Sequence, residues 1–466
     1  MPSDTADAPT ADLEPPRRRA RLSHVLGALS YALDLTEGQP PGHSLRCCWI
    51  ALRVADAMRL PPAIVSDLYY ATLLKDAGCS SNAARLWQLY GGDERLAKRR
   101  YKSVNSQNLF ALGGYVLRHA GAGEALRARI GRVLGIVGRA DDLANELIHT
   151  RCERGADIAR RIGFGETVAV GIHALDEHWN GRGRPEGLAG EAIPLIARIA
   201  LLAQVVDVFH AIGGAAAALA ETRRRAGAWF DPRVVAGLRA AAADPLFWPG
   251  LIAPDLDERV VALEPAARVI LIDEDRLDDI AAAFAAVIDA KSSFTSGHSE
   301  RVTVYADAIA AALGLHPAHR RWLRRAALLH DIGKLGVSNA ILDKPGPLDA
   351  AEWSAIKRHA ELSETILQRS RVFRDMAPVA AAHHERIDGT GYPRQLAGPE
   401  IPIEARIITT ADIFDALTAA RPYRGAMPVA EAIALMERDR GSAIDGGCLD
   451  ALRRHLTDGG VALNAG

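Results

Sequence analysis

The sequence predicts a nearly all-α protein built as two copies of one helical module. Apolar residues recur at helical spacing along almost the whole chain, period-two alternation is scarce, and two blocks of sequence repeat at constant offsets. With 466 residues and 49% apolar content, the chain can bury a core in each of two or three domains. A formal net charge of −1 offers no global field for a nucleic-acid polymer, so an anionic ligand must meet a local basic cluster.

Residues 1–20 are rich in Pro, Asp, Thr and Ala and run into Arg17, Arg18, Arg19 and Arg21, which reads as a disordered tail. Helices follow, marked by Leu22, Val25, Leu26, Leu29 and Leu33 in the first half and by Ile280, Phe284, Val287 and Ile288 in the second. Gly and Pro punctuation at 37–42, 180–187, 244–254, 343–347 and 388–402 marks loops. The apolar run 193–220 is interrupted by Arg198, Asp207 and His210, so a buried helix is expected there rather than a membrane span. The five cysteines (Cys47, Cys48, Cys79, Cys152, Cys448) form no CxxC pair and no secretory segment opens the chain, so a reduced, cytoplasmic protein is expected.

The repeat organises the rest. HSLR at 43–46 aligns with HSER at 298–301 at a shift of 255, and that shift also lays 71–86 on 326–342 with a one-residue slip at its end. A second block, 177–199, lies on 385–407 at a shift of 208, so the first copy carries 47 extra residues between about 87 and 150. The first module is expected over 21–242, a connector broken by Pro steps over 243–275, and the second module over 276–466.

The second copy contains HDIGK at 330–334 and HHERIDGTGYP at 383–393. Its candidate metal ligands are His298, His330, Asp331, His359, His383, His384 and Asp412. One histidine such as His359, in the polar stretch KRHAE, is by itself more often a surface residue. A buried Asp412 on an apolar helix, a histidine pair and a His-Asp pair together would be an expensive core without a cation. The first copy keeps His43 and Asp76 but has Lys75, Arg151, Leu175, Asp176 and Gln204 at the other places, so five of the seven candidates are gone. Fixed positive charge at two of them predicts a metal-free copy, serving as a scaffold or as an anion pocket built on Lys75 and Arg151.

On HSERV (298–302), HDIGK, HHERIDGTGYP, ADIFDAL (411–417) and RPYR (421–424), the region 275–456 resembles the HD-GYP domain of the HD metal-dependent phosphohydrolase superfamily. The first copy resembles the same domain more weakly, with GRP at 183–185, so tandem HD-type helical bundles are implied. The resemblance implies two divalent ions, iron or manganese. His298, His330, Asp331 and Asp412 would hold one, His359, His383 and His384 the other, with Asp331 bridging. It also implies that Lys334 faces the scissile phosphate, that Arg421 binds a substrate phosphate, and that Arg386, Gly391, Tyr392 and Pro393 border the nucleotide. Some members hold a third metal with a Glu where this chain has Phe294, which favours two. The implied activity is hydrolysis of cyclic di-GMP to pGpG and onward to GMP. The alternatives are hydrolysis of cyclic GMP-AMP or a non-catalytic cyclic-dinucleotide receptor. The resemblance is compatible with a homodimer.

Overall fold

The computed structural model describes residues 20–101, 116, 120–121, 126–293, 295–419 and 425–459; the tail before residue 20, Phe294 and Arg421 lie outside them. Among the described residues the elements are helices and short 3-10 turns, with one two-stranded antiparallel ribbon pairing Ala20–Arg21 with Leu271–Ile272. The helical period expected from sequence is the period of burial. Leu22, Val25, Leu26, Leu29 and Leu33 are fully buried on helix Leu22–Thr36, and Ile280, Phe284, Val287 and Ile288 are buried on helix Glu274–Asp289.

The two copies repeat several contacts at equivalent places. Helices His43–Ala57 and His298–Ala312 each start after a glycine in the left-handed region, Gly42 at φ 83 and Gly297 at φ 67. The Ser44 and Ser299 hydroxyls donate to Asp34 and Asp289, both at 2.7 Å. Arg198 and Arg406 bond Asp231 and Asp445, the caps of helices Pro232–Ala241 and Gly446–Asp458.

Helix Leu195–Arg225 is long and apolar enough to cross a membrane by length and composition, yet 67% of its apolar window is buried inside the bundle. It is interrupted by non-helical backbone at Gly213 and Gly214. The 244–254 stretch is more than the loop its Pro and Gly suggest. Phe247 is fully buried and its carbonyl accepts from the Trp49 indole at 3.0 Å, which holds a one-turn helix, Phe247–Leu251, against the first module.

The copies share one hydrophobic core, and a polar contact joins them beside the HDIGK loop. Glu94, on helix Glu94–Tyr101 of the extra segment, is fully buried. It accepts from Lys291 Nζ at 2.7 Å, Ser338 Oγ at 2.8 Å and the Asn339 backbone N–H at 3.0 Å. Arg95 next to it donates to the Gly336 carbonyl.

Candidate metal centre

Five segments bring the predicted ligands together. His298 is the first residue of helix His298–Ala312; His330 and Asp331 follow helix Pro317–Leu329 and lead into the 3-10 turn Ile332–Gly336. His359 lies in helix Ala350–Gln368, which a capping box of Asp349 and Glu352 starts. His383 and His384 form the 3-10 turn Ala382–His384, and Asp412 comes from helix Ile403–Thr418.

Hydrogen bonds lock these segments to one another. Ser363 Oγ donates to the His330 carbonyl at 2.7 Å and accepts from the Gly333 N–H at 2.9 Å, and Thr409 Oγ1 donates to the His383 carbonyl at 2.7 Å. Gly333 is required by closeness, since a Cβ there would lie 2.0 Å from the His359 carbonyl oxygen.

All seven candidate ligands converge. Asp331 is the hub, with Oδ2 3.3 Å from His330 Nε2 and 3.7 Å from His298 Nε2. Its Oδ1 is 3.4 Å from His359 Nε2 and 3.6 Å from His383 Nε2. Asp412 Oδ1 stands 3.3 Å from His298 Nε2. Two triads, His298/His330/Asp412 and His359/His383/His384, each place one ligand atom per residue within 4.8 Å of the others.

The donor set fits divalent cations for a reason visible in the backbone. His330 Nδ1 donates to the Ala327 carbonyl at 2.7 Å, His359 Nδ1 to Ile356 at 2.6 Å, and His383 Nδ1 to Ala380. A carbonyl only accepts, so each Nδ1 carries the proton and each Nε2 lone pair is turned into the cluster, the tautomer a metal requires. His298 Nδ1 donates instead to Asp415 Oδ2 at 2.7 Å, and Asp415 also accepts from Arg301 at 2.6 and 3.1 Å. His330 Nε2 and Asp331 Oδ1 are buried and have no hydrogen-bond partner, a costly arrangement for a pure core and the expected one for ligand atoms.

The cluster has two electrostatic poles. Burial opposes charge on His298, but hydrogen bonds to Asp331, Asp412 and Asp415 outweigh it and push its pKa up to about 11. Asp331 is held well below the usual carboxylate range against the effect of burial by Lys334, His330 and His298, and Asp412 is lowered by His298 and His330. At the other pole burial drives His359 down to about 3 and His384 well below its ordinary value, so both are neutral. His359 and His384 with the ionised Asp331 and Asp412 are thus in the protonation states of metal ligands, whereas His298 and His330, raised by the neighbouring carboxylates against burial, give up a proton when they ligate.

Of the residues expected at the substrate, Lys334 is hydrogen-bonded to Asp331 Oδ2 beside the cluster. Glu385 shapes the glycine-rich loop by accepting from the Arg394 N–H at 2.6 Å and the Leu396 N–H at 3.0 Å. Gly391 permits the loop to fold back, since a Cβ would lie 2.4 Å from the Arg386 nitrogen. The Tyr392-Pro393 peptide is cis and the Tyr392 ring lies 4.8 Å from that of His384. Arg386 is partly buried, 3.4 Å from Asp388. Sequence reasoning did not single out Asp415, Ser363, Thr409 or Glu385. The signal for two of them lay in the repeat: Asp207 bonds His43 at 2.6 Å as Asp415 bonds His298, and Glu177 bonds the Glu186 and Gly187 N–H groups as Glu385 bonds its loop.

In the first copy the replacements neutralise each other. Lys75 bonds Asp76 and reaches Gln204, Arg151 pairs with Asp176, and Lys98 lies 3.2 Å from Glu37. The two basic residues expected to attract an anion thus already hold carboxylates of their own copy. A cavity of about 270 Å³ lies at this place, with Arg151, Asp176, Gln204, Leu86, Leu143 and Leu147 among its lining residues.

A family model described as HD domain matches residues 125–234 and 283–447. A 3'3'-cGAMP-specific phosphodiesterase 3 of Vibrio cholerae is 52% identical over 435 residues, covering 93% of this chain and 94% of that protein. A crystal structure of a cyclic GMP-AMP specific phosphodiesterase of V. cholerae superposes with a TM-score of 0.66 at 47% identity, covering 94% of this chain and 98% of that one. The cyclic di-GMP phosphodiesterase response regulator RpfG of Xanthomonas campestris is 40% identical over 183 residues, 39% of this chain and 48% of that protein. Fold and site together define a metal-dependent phosphohydrolase. The chain belongs to the HD domain family, in its HD-GYP branch.

Proposed function

We propose that this chain, a cyclic dinucleotide phosphodiesterase, acts on 3′3′-cGAMP and opens one 3′–5′ phosphodiester to a linear dinucleotide. The structural observation that carries the reaction class is the buried Asp331 carboxylate, unpartnered at Oδ1 and ringed by four inward-facing imidazoles. The substrate rests on similarity. The cGAMP-specific relative matches 93% of the chain, first copy included, whereas RpfG matches 39% and the cyclic di-GMP phosphodiesterase of Thermotoga maritima 44%. The cyclic di-GMP preference implied by the motifs therefore gives way to its alternative.

Two ions of iron or manganese suit this set: all ligands are N and O, without thiolate, and the two triads flank Asp331. His298, His330, Asp331 and Asp412 would hold one, and His359, His383 and His384 the other. When bound, divalent ions polarise phosphoryl oxygens and lower the pKa of a coordinated water to about 7. The chain's own side chains do the remainder. Lys334 is held by Asp331 where its ammonium can offset charge developing on the phosphoryl oxygens. Tyr392 beside His384 and Arg386 of the same loop would border the nucleotide, Arg421 would bind a substrate phosphate, and the Nδ1 bonds of His330, His359 and His383 to backbone carbonyls hold their Nε2 atoms toward the cluster.

The test loads the purified protein separately with Mn(II) and Fe(II), measures bound metal, and follows 3′3′-cGAMP and cyclic di-GMP beside Asp331→Ala. The expected result is a linear product formed with higher kcat/KM from 3′3′-cGAMP and lost in the variant. Equal or faster opening of cyclic di-GMP would restore that substrate, and absence of turnover by a metal-loaded protein would leave a receptor.

A further inference from the structure

A row of rings leads out of the metal centre and ends in solvent. From His384 the contact passes to Tyr392, 4.8 Å between ring centroids. Lys357 Nζ lies 5.2 Å from the Tyr392 centroid and 5.6 Å from that of Trp353. Trp353 and Lys357 are one turn apart on helix Ala350–Gln368, which also carries His359 into the cluster.

Trp353 is 49% exposed, and among the exposed large hydrophobic side chains of the described residues it is the only aromatic one. Lys357 forms no ion pair among the described residues, whereas Lys344 bonds Glu352 and Arg394 bonds Glu364 on the same helix. An ammonium held between two aromatic faces and left without a carboxylate is arranged to receive an anion.

The first copy again serves as a control. At the shift of 208 that places Arg151 on His359, Trp353 becomes Asn145, Lys357 becomes His149 and Tyr392 becomes Arg184. There Arg184 hydrogen-bonds Asn145, so the two places adjoin in both copies while the chemistry differs. The copy that lacks most of the metal ligands lacks the row of rings too, which ties the row to substrate rather than to folding.

We propose that Trp353 and Lys357 form the subsite for the second nucleotide, the half of the cyclic substrate that is not being cleaved. The inference rests on the cyclic-dinucleotide reading above. A cyclic dinucleotide presents two phosphates and two bases. One phosphate goes to the metal centre; the second, with its base, lies outside it and needs its own counter-charge and stacking face. The Lys357 ammonium takes the non-scissile phosphate, and the Trp353 indole stacks the base attached to it. Every purine has a π-face, so this subsite contributes affinity for both cyclic dinucleotides and leaves the choice between guanine and adenine to other contacts.

The test uses the full-length, metal-loaded protein with Trp353→Ala, Trp353→Phe and Lys357→Met. Each is assayed on 3′3′-cGAMP, on cyclic di-GMP and on bis(4-nitrophenyl) phosphate, a phosphodiester with one phosphate and no nucleobase. Base–aromatic stacking is worth about 1–3 kcal/mol, so Trp353→Ala is expected to lower kcat/KM for the cyclic dinucleotide about 5- to 150-fold, chiefly through KM. Trp353→Phe restores most of it, and Lys357→Met raises KM and flattens its dependence on salt. Hydrolysis of bis(4-nitrophenyl) phosphate stays unchanged in all three. Equal losses on all substrates would make the row a structural element and overturn the subsite, as would unchanged KM for the cyclic dinucleotides. If the wild type cleaves only the nitrophenyl ester, the cyclic-dinucleotide reading itself is wrong.

Discussion

Replacing Asp415 by Asn tests whether the orientation of His298 is part of the catalytic apparatus or of the scaffold. The carboxylate takes the His298 Nδ1–H at 2.7 Å and two bonds from Arg301 at 2.6 and 3.1 Å, while itself only 2% exposed. Hydrogen bonds to an ionised group contribute about 1.5–3 kcal/mol against about 1 for a neutral pair. The amide therefore forfeits about 1–2 kcal/mol of support to His298, or about 5- to 30-fold in metal affinity. Arg301, deprived of its counter-charge, pushes the loss upward, into the 10- to 100-fold range typical when an outer-shell partner of a ligating histidine is removed.

The twin position supplies the control. Asp207 receives the same bonds from His43 at 2.6 Å and Arg46 at 2.6 and 3.2 Å, in a copy without the histidine cluster. Metal-buffered titration with Mn(II), kcat and thermal unfolding should be measured on both variants. Asp415→Asn is expected to weaken metal binding and turnover, and Asp207→Asn to lower only the unfolding temperature. Equal loss of metal affinity in both variants, or an untouched affinity in Asp415→Asn, would refute the reasoning.

Gly333→Ala should lower stability by about 1–3 kcal/mol and abolish most activity. The new methyl group meets the His359 carbonyl at 2.0 Å and the Ser363 nitrogen at 2.7 Å, so the helix carrying His359 must back away; a variant with wild-type Tm and kcat would contradict this. Lys291→Met leaves Glu94 buried without its cation and should cost about 3–5 kcal/mol in urea unfolding, with most of it regained when Glu94→Gln is added; a double variant no better than the single one counts against a buried pair. Burial pulls the Lys291 pKa down to about 8, despite Glu94, from an ordinary 10.5. Below pH 8 both states hold the proton. Above it the folded state releases first while the unfolded state still binds, so this group adds stability as pH rises from about 8 to 10.5. The stability of the wild type relative to Lys291→Met should rise over that window, and a fall would reverse the assignment.

Much of the molecule was legible in one dimension. Helical periodicity is local, so Leu22 to Leu33 and Ile280 to Ile288 announced their buried faces without any knowledge of what covers them. Five of the seven candidate ligands were readable because a duplicated chain carries its own control: positions that lose an imidazole or carboxylate ligand while the helices persist are not there for packing. Asp415 escaped that comparison because both copies keep the carboxylate, and conservation between copies does not distinguish orienting a ligand from holding a helix end. The 244–254 stretch read as loop because its single helical turn is held by contacts from Trp49, nearly two hundred residues away. The preference for cyclic di-GMP reflected motifs common to the branch, which describe how a phosphodiester is cleaved and say little about which bases flank it.

The sequence by itself determined the all-α class, the duplication and the donor types of the candidate metal site, since periodicity, repeat offset and residue type are properties of residues in order. Only the tertiary structure decided that Nδ1 of each cluster histidine with a backbone partner is spent on a carbonyl. It alone showed that Lys75 and Arg151 are neutralised within their own copy, that Glu94 of the first half braces the loop after Lys334, and that Trp353 stands at the end of a row beginning at His384. Those are relations between side chains far apart in the chain. They depend on which surfaces the helices bury against one another, and no local pattern encodes that choice.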